Sequence, residues 1–263
     1  MWFVYPTEAE WAQAEATWDL ARLNAAFDKI SNVLSNNTSI EAFIWWPSLH
    51  DWCQHLRARI DHTRKSYVFA RFNFDLGIPD DPWFVSPGRD GRGTEFFPNF
   101  EEKHFWHKMQ FDFYGDVFYY KWFSAFDTLG QILNLIYNLK LSLPTFASAV
   151  ARLETVDPSL FADLQSEVTK QQSFKTAKQF RNDMTHNYLP GRSGGSVECA
   201  TTDNGTSVSL GIGQYVPTKL IMANMVECFE LLAVAMELIA DRYPVAGVVL
   251  EIPGSLPTRR IKK

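Results

Sequence analysis

The sequence predicts a mainly all-α fold, a helical bundle into which one β-hairpin is inserted. Three observations predict it: long runs with a 3.6-residue apolar period, capping signals that open them, and one β-branched stretch centred on Asp203-Asn204-Gly205. The 263 residues are 46% hydrophobic and 15% aromatic, far from disordered or fibrous compositions, so the interior is large and rich in rings.

Thr7 to Glu10 has the spacing of a capping box, and Leu20, Leu23, Phe27, Ile30 and Leu34 step by three and four, which predicts one long first helix. Thr38 to Glu41 repeats the capping signature. Pro47 is then expected to kink or break the helix, after which Leu49, Trp52, Leu56 and Ile60 carry the period on. The other face of that helix holds Arg57, Arg59, Arg64 and Lys65. Residues 76–100 are dense in proline and glycine and predict a long loop, of a length that is usually functional or disordered in a compact domain.

Glu101 and Glu102 suit the positive end of a long aromatic helix, the expected central element of the core. Pro144, Asp157-Pro158 and Thr169 to Gln172 mark three further helix starts, and Pro190-Gly191 ends the last of these. "SVECATTDNGTSVSLGI" reads as a hairpin near 196–212, because Asn and Gly accept the positive φ of tight turns. Pro217 opens a final helix to about Tyr243. The expected organisation is an N-terminal helical region over 1–100 with the loop at 76–100, a bundle over 101–243 that carries the hairpin, and a tail over 244–263 ending in "TRRIKK".

Composition narrows the function classes. A net charge of -5 and a pI of about 5.7 exclude a general polyanion binder, so any nucleic-acid contact needs a local basic patch. Cys53, Cys199 and Cys228 match neither a disulfide framework nor a paired-cysteine metal site, and none has a neighbour that would activate a thiolate. "MWFVYPTEAEW" lacks the leader of a signal peptide, and Glu227, Glu230 and Glu237 interrupt the most apolar segment, so the expectation is a cytoplasmic chain without a membrane span.

The most unusual polar stretch is "QFRNDMTHNYLPG". Ala177, Phe180, Met184 and Tyr188 form one stripe of its helix and read as core; Lys175, Lys178, Asn182 and His186 form another. Asn182 stands four residues before His186 and can fix which ring nitrogen carries the proton. A histidine that titrates near neutrality, beside an arginine that keeps its charge, supplies the base and the phosphate clamp that RNA cleavage needs. The structural alternative is that Arg181 and Asp183 are solvated charges and His186 closes a helix end.

"RNDMTH" resembles the Arg-x4-6-His motif of the HEPN superfamily (higher eukaryotes and prokaryotes nucleotide-binding domains), including the polar residue after the arginine. The helical pattern, the motif's late position on a helix and the further long helix resemble that superfamily too, over roughly Glu101 to Tyr243. Arg57 to His62 repeats the spacing, but Ala58 follows its arginine and no helix end lies near. The resemblance implies a HEPN-like helical bundle that acts as a metal-independent endoribonuclease, commonly a toxin or an antiphage defence effector, as a homodimer and without a cofactor. It implies His186 as general base on a ribose 2′-OH, Arg181 on the phosphate transition state, and Asn182 orienting one or both. Lys175 and Lys178, with Arg192 reaching back, are expected to guide the RNA backbone. The superfamily also holds non-catalytic members, so a nucleotide- or protein-binding module is the alternative, and a dimerisation bundle without a ligand is a third. An antitoxin or other partner protein is a further expected companion.

The remaining candidates read as structure. His104 and His107 have helical spacing with Asp112 nearby but lack a convincing third ligand, so no metal is expected. "PGRSGGS" lacks the Gly-Lys-Ser/Thr ending of a triphosphate loop, and most of the rings from Trp106 to Phe126 are expected in the core or a dimer interface, with base stacking the lesser alternative.

Overall fold

The computed structural model describes residues 4–35, 40–186, 190, 195–202, 205–212 and 215–242. Among the described residues it is mostly helical, with eight α-helices and one longer antiparallel hairpin, as the periodicity predicts. The helices are α1 (Glu8–Glu15), α2 (Leu20–Ser35), α3 (Ile40–Asp75), α4 (Glu102–Ile136), α5 (Phe146–Val156), α6 (Pro158–Leu164), α7 (Gln172–His186) and α8 (Thr218–Arg242). Strands β1 (Phe84–Val85) and β2 (Glu95–Phe96) pair within the loop, and β3 (Gly195–Thr202) pairs with β4 (Gly205–Ile212) in the register that sets Thr202 opposite Gly205. Asp203 and Asn204, Tyr243 and the tail lie outside the described residues.

α4 is the spine. Phe111, Phe118, Tyr119, Trp122, Phe126 and Leu129 are almost wholly buried along it, and each such side chain contributes roughly 1.5–3 kcal/mol. α3 packs along α4, while α2 lies on α8 and α5 on the far half of α4. Trp122 Nε1 donates to the Cys228 carbonyl at 2.8 Å, which ties the spine to α8. Gly130 permits the close approach of α5: a Cβ there would stand 2.6 Å from the Phe146 nitrogen.

The capping box at Thr7 forms, with the Thr7 N–H donating to Glu10 at 2.7 Å. The single long first helix does not form: the chain turns at 16–19 between α1 and α2. Trp18 is buried there and stacks on Phe229 at 3.9 Å, and Asp19 accepts the Arg22 N–H at 2.8 Å, so a buried ring and a new cap outweigh continuity of the seam. The break expected at Pro47 is also absent, since α3 runs through it. One lost backbone bond is offset by the face that α3 buries, including Leu49, Leu56, Ile60, Tyr67 and Val68. The capping signature at Thr38 falls mostly outside the described residues.

Residues 76–100 are anchored to the start of α8. Asp80 is 3% exposed, and its carboxylate accepts from the Tyr215 hydroxyl at 2.5 Å, the Thr218 N–H at 2.8 Å and the Thr218 hydroxyl at 3.1 Å. A carboxylate at a helix N-terminus is favoured by the dipole. Trp83 stacks on Tyr215 at 5.2 Å, and burial, followed by the bond to Asp80, pushes the Tyr215 phenol far above its ordinary range. Among the described residues no helix is long and apolar enough to cross a membrane. Glu230 and Glu237 instead hold Arg22 of α2, with Glu237 engaging it through both oxygens at 3.0 and 2.8 Å.

Two outcomes follow for stability. Asp80→Ala leaves a phenol and a helix-end N–H buried without their acceptor, and should lower the unfolding free energy in urea by about 2–4 kcal/mol; a loss under about 1 kcal/mol would refute the anchor. The bond from Arg22 holds the Glu237 carboxyl below its ordinary 4.5. A depressed carboxylate stabilises above 4.5 and loses that contribution as pH falls through its folded value. Glu237→Gln should therefore be less stable than the native chain at pH 7 and lose less stability between pH 5 and about pH 3, measured by thermal unfolding across that range.

Candidate functional site

α7 is laid along α4 and α8 by rings and one amide. Phe180 packs on Tyr119 at 5.6 Å, and Phe174 meets Trp122 and Phe126 at 5.4 and 5.5 Å. Asn224 of α8, 5% exposed, accepts from the Tyr119 hydroxyl at 2.9 Å and donates to the Ser173 carbonyl at 3.0 Å. Ala177 and Phe180 are buried and Met184 is half-buried, so the described part of the apolar stripe faces the core.

This seating turns Arg181 toward α4. Its guanidinium carbon lies 4.9 Å from the Phe123 ring centroid, a cation–π contact, and its Nε is buried without a hydrogen-bond partner among the described residues. Arg181 lines a cavity of about 530 Å³ together with Lys175, Lys178, Phe123, Asp127 and Phe174. The first turn of α5 and the π-turn over 165–169 close its other sides. Three cations thus face a space to which, among the described residues, Asp127 alone contributes a carboxylate, so the cavity favours an anion. Asp127 Oδ1 accepts the Phe146 N–H at 3.2 Å, which fixes the carboxylate at the wall.

Lys175 and Lys178 therefore share a space with Arg181 rather than with Asn182 and His186. His186 is the last residue of α7 and is exposed; Asn182 is half-buried, and no hydrogen bond joins the two among the described residues. Thr185 turns back, its hydroxyl donating to the Arg181 carbonyl at 2.7 Å. Arg181 and His186 stand five positions apart, so they project about 140° apart around the helix axis. Arg192 lies outside the described residues.

Asp127 carries no signal in the sequence that marks it as a site residue, and Phe123 reads there only as one ring of the aromatic helix. Their spacing of four puts them on one side of α4, and only the seating of α7 shows that this side meets Arg181. A second cavity of about 470 Å³, among Tyr5, Phe69, Trp106 and Tyr114, includes no residue of α7.

The other candidates are committed elsewhere. His104 Nδ1 accepts the Glu101 N–H at 2.9 Å at the head of α4, and His107 Nδ1 lies 3.3 Å from the Gly77 carbonyl. Among the described residues no three His, Cys, Asp or Glu side chains gather as a metal site. Arg57 stands over the Phe27 ring at 5.0 Å, within the packing of α2 on α3. Burial pushes the Cys53 thiol up to about 11 and the Cys228 thiol well above its ordinary value, so neither is an activated nucleophile.

Comparison with curated proteins and with solved structures gives no match. A family model described as Cthe2314-like HEPN matches residues 52–242, which takes in most of α3 as well as the span from α4 to α8. HEPN domains are commonly ribonucleases. The match covers well over half of the sequence, including the helix that carries Arg181 and His186, and the chain belongs to the Cthe2314-like HEPN family.

Proposed function

We propose that this protein is a metal-independent endoribonuclease of the HEPN type, toxin- or defence-like, that works as a homodimer. The observation that carries the reading is Arg181: a guanidinium held over a ring, its Nε without a hydrogen-bond partner among the described residues, at a cavity it shares with two lysines. A phosphate supplies the missing acceptor, and a planar guanidinium meets it through two parallel N–H bonds.

In the proposed reaction the neutral His186 imidazole takes the proton of a ribose 2′-OH. The O2′ attacks the adjacent phosphorus, the P–O5′ bond breaks, and the O5′ leaves with a proton from solvent. The products are a 2′,3′-cyclic phosphate and a 5′-hydroxyl. Arg181 stabilises the charge that builds on the phosphorane oxygens. Asn182, one helical turn before His186, orients the imidazole once RNA is bound, and Lys175, Lys178 and Arg192 guide the backbone.

The separation of Arg181 from His186 around α7 supports a second copy, because two chains bring a clamp and a base from different faces to one phosphate. Trp106, Met109, Phe113 and Tyr120 form an exposed row on α4, each between 41% and 62% exposed, with Phe123 at its flank. Such a row suits the apolar face of a self-association surface. The same separation favours one alternative reading, a nucleotide- or protein-binding module that uses the Arg181 cavity without chemistry.

The experiment is cleavage of a mixed RNA pool in EDTA by the native chain, His186→Ala and Arg181→Lys. Cyclic phosphate ends should appear with the native chain, with activity down at least about 100-fold in His186→Ala and at least about tenfold in Arg181→Lys. Equal cleavage by the native chain and His186→Ala, or none by a folded native dimer, would leave the binding module in its place.

A further inference from the structure

We infer that the cavity beside Arg181 binds one unstacked guanine nucleotide, its phosphate on Lys175, Lys178 and Arg181 and its base edge on Asp127. The inference deepens the nuclease reading by naming the nucleotide that the site selects, and it rests on that reading for the role of Arg181 as phosphate clamp.

The cavity's size, charge and walls each restrict the occupant. About 530 Å³ falls within the range of small-ligand pockets and exceeds what an inorganic anion fills. Among the described residues Lys175, Lys178 and Arg181 form no salt bridge, so an anion meets three cations against one carboxylate, Asp127. The walls carry rings from three helices: Phe123 and Phe126 of α4, Phe146 of α5 and Phe174 of α7. Phe123 and Phe174 are half-buried, stand edge to face at 5.7 Å and both line the space, with the Arg181 guanidinium over the Phe123 ring. An anion with a flat aromatic body fits such walls, and a nucleotide is that chemistry.

Asp127 selects the base. An ionised carboxylate only accepts hydrogen bonds, and here one oxygen already holds the Phe146 N–H while spare lone pairs remain. Guanine presents two adjacent donors, N1–H and the 2-amino group, which match a carboxylate in the bidentate manner. Adenine and cytosine each place a ring acceptor beside the amino group, and uracil flanks its one ring N–H with two carbonyls, so each sets an acceptor against the carboxylate. The base must be unstacked to enter, which restricts RNA substrates to single-stranded segments.

The test is binding to the protein carrying His186→Ala, so that no RNA is consumed, by calorimetry with GMP, AMP, CMP and UMP and with two pentanucleotides, all-uridine and uridine with one central guanosine. GMP, or the guanosine-containing pentamer, should bind at least about tenfold tighter than its counterparts. Preference seen only in the pentamers assigns the site to RNA, and preference undiminished in free GMP assigns it to a mononucleotide; both uphold the site. Asp127→Asn keeps an oxygen for Phe146 and should erase the preference while retaining anion binding. Ala151→Trp, on an exposed position of the cavity wall, should abolish binding with helicity unchanged by circular dichroism. Equal affinity for all bases, a tighter fit for AMP, CMP or UMP, or Asp127→Asn behaving as its parent would overturn the proposal. Cleavage by the native chain is read separately: cutting without guanine preference sinks this inference alone, and guanine binding without cutting sinks the nuclease alone.

Discussion

Asn224 is the constraint on which the site depends. Apolar packing has no direction, and the rings between α4, α7 and α8 would tolerate small slides along one another. A buried amide does not, because its donor and acceptor must both be met inside the core. Asn224 takes the Tyr119 hydroxyl from α4, gives its N–H to the Ser173 carbonyl of α7, and stands 3.8 Å from the Cys228 thiol on its own helix. With these bonds made, Phe180 lies on Tyr119 and the next residue, Arg181, lands over Phe123. A slip of one residue would turn α7 by about 100° and carry the guanidinium off the ring.

Charge is distributed to the same end. The chain is acidic overall, and many of its arginines are held by carboxylates or carbonyls of the same chain: Arg22 by Glu230 and Glu237, Arg64 by Glu15, Arg89 by Glu95, and Arg59 by the Ser124 carbonyl. Those pairs join helices or pin the loop. Lys175, Lys178 and Arg181 have no such carboxylate among the described residues, so a compact positive field survives on a negative molecule. For the proposed RNA substrate, low background attraction for polyanions together with this cationic cavity favours engagement at the cavity over indiscriminate coating of nucleic acid.

The fold was legible in the sequence wherever a local rule decides. Thr7 and Glu10 cap α1, Asp157 accepts the Leu160 N–H at the head of α6, and the β-branched runs pair as β3 and β4. The motif's family was legible for a similar reason, since six consecutive residues carry it. What sequence could not reveal depends on long-range partners. Trp18 breaks a helix because Phe229, more than two hundred positions later, offers a stacking face. Asp80 looks like one of many loop acids until Tyr215 and Thr218 are placed on it. Helical spacing assigned the lysines to the stripe of His186, whereas a side chain as long as lysine reaches around to the cavity of Arg181.

The division between a packed Arg181 and an exposed His186 matches the demands of the proposed chemistry. Charge stabilisation works only if the donors are already in place when the phosphorane forms, since reorganising them at that moment returns the gain. A guanidinium seated on Phe123, on a helix fixed by Asn224, meets that demand, and an ammonium on a flexible stem does not. A general base is less constrained, because its hydrogen bond tightens as substrate arrives. His186 closes α7, with no ring contact among the described residues, and in the proposed reaction RNA or a second chain completes its position. On this reading the rigid part of the helix carries the clamp and its end carries the base, so catalysis is withheld until the polar end of α7 is covered.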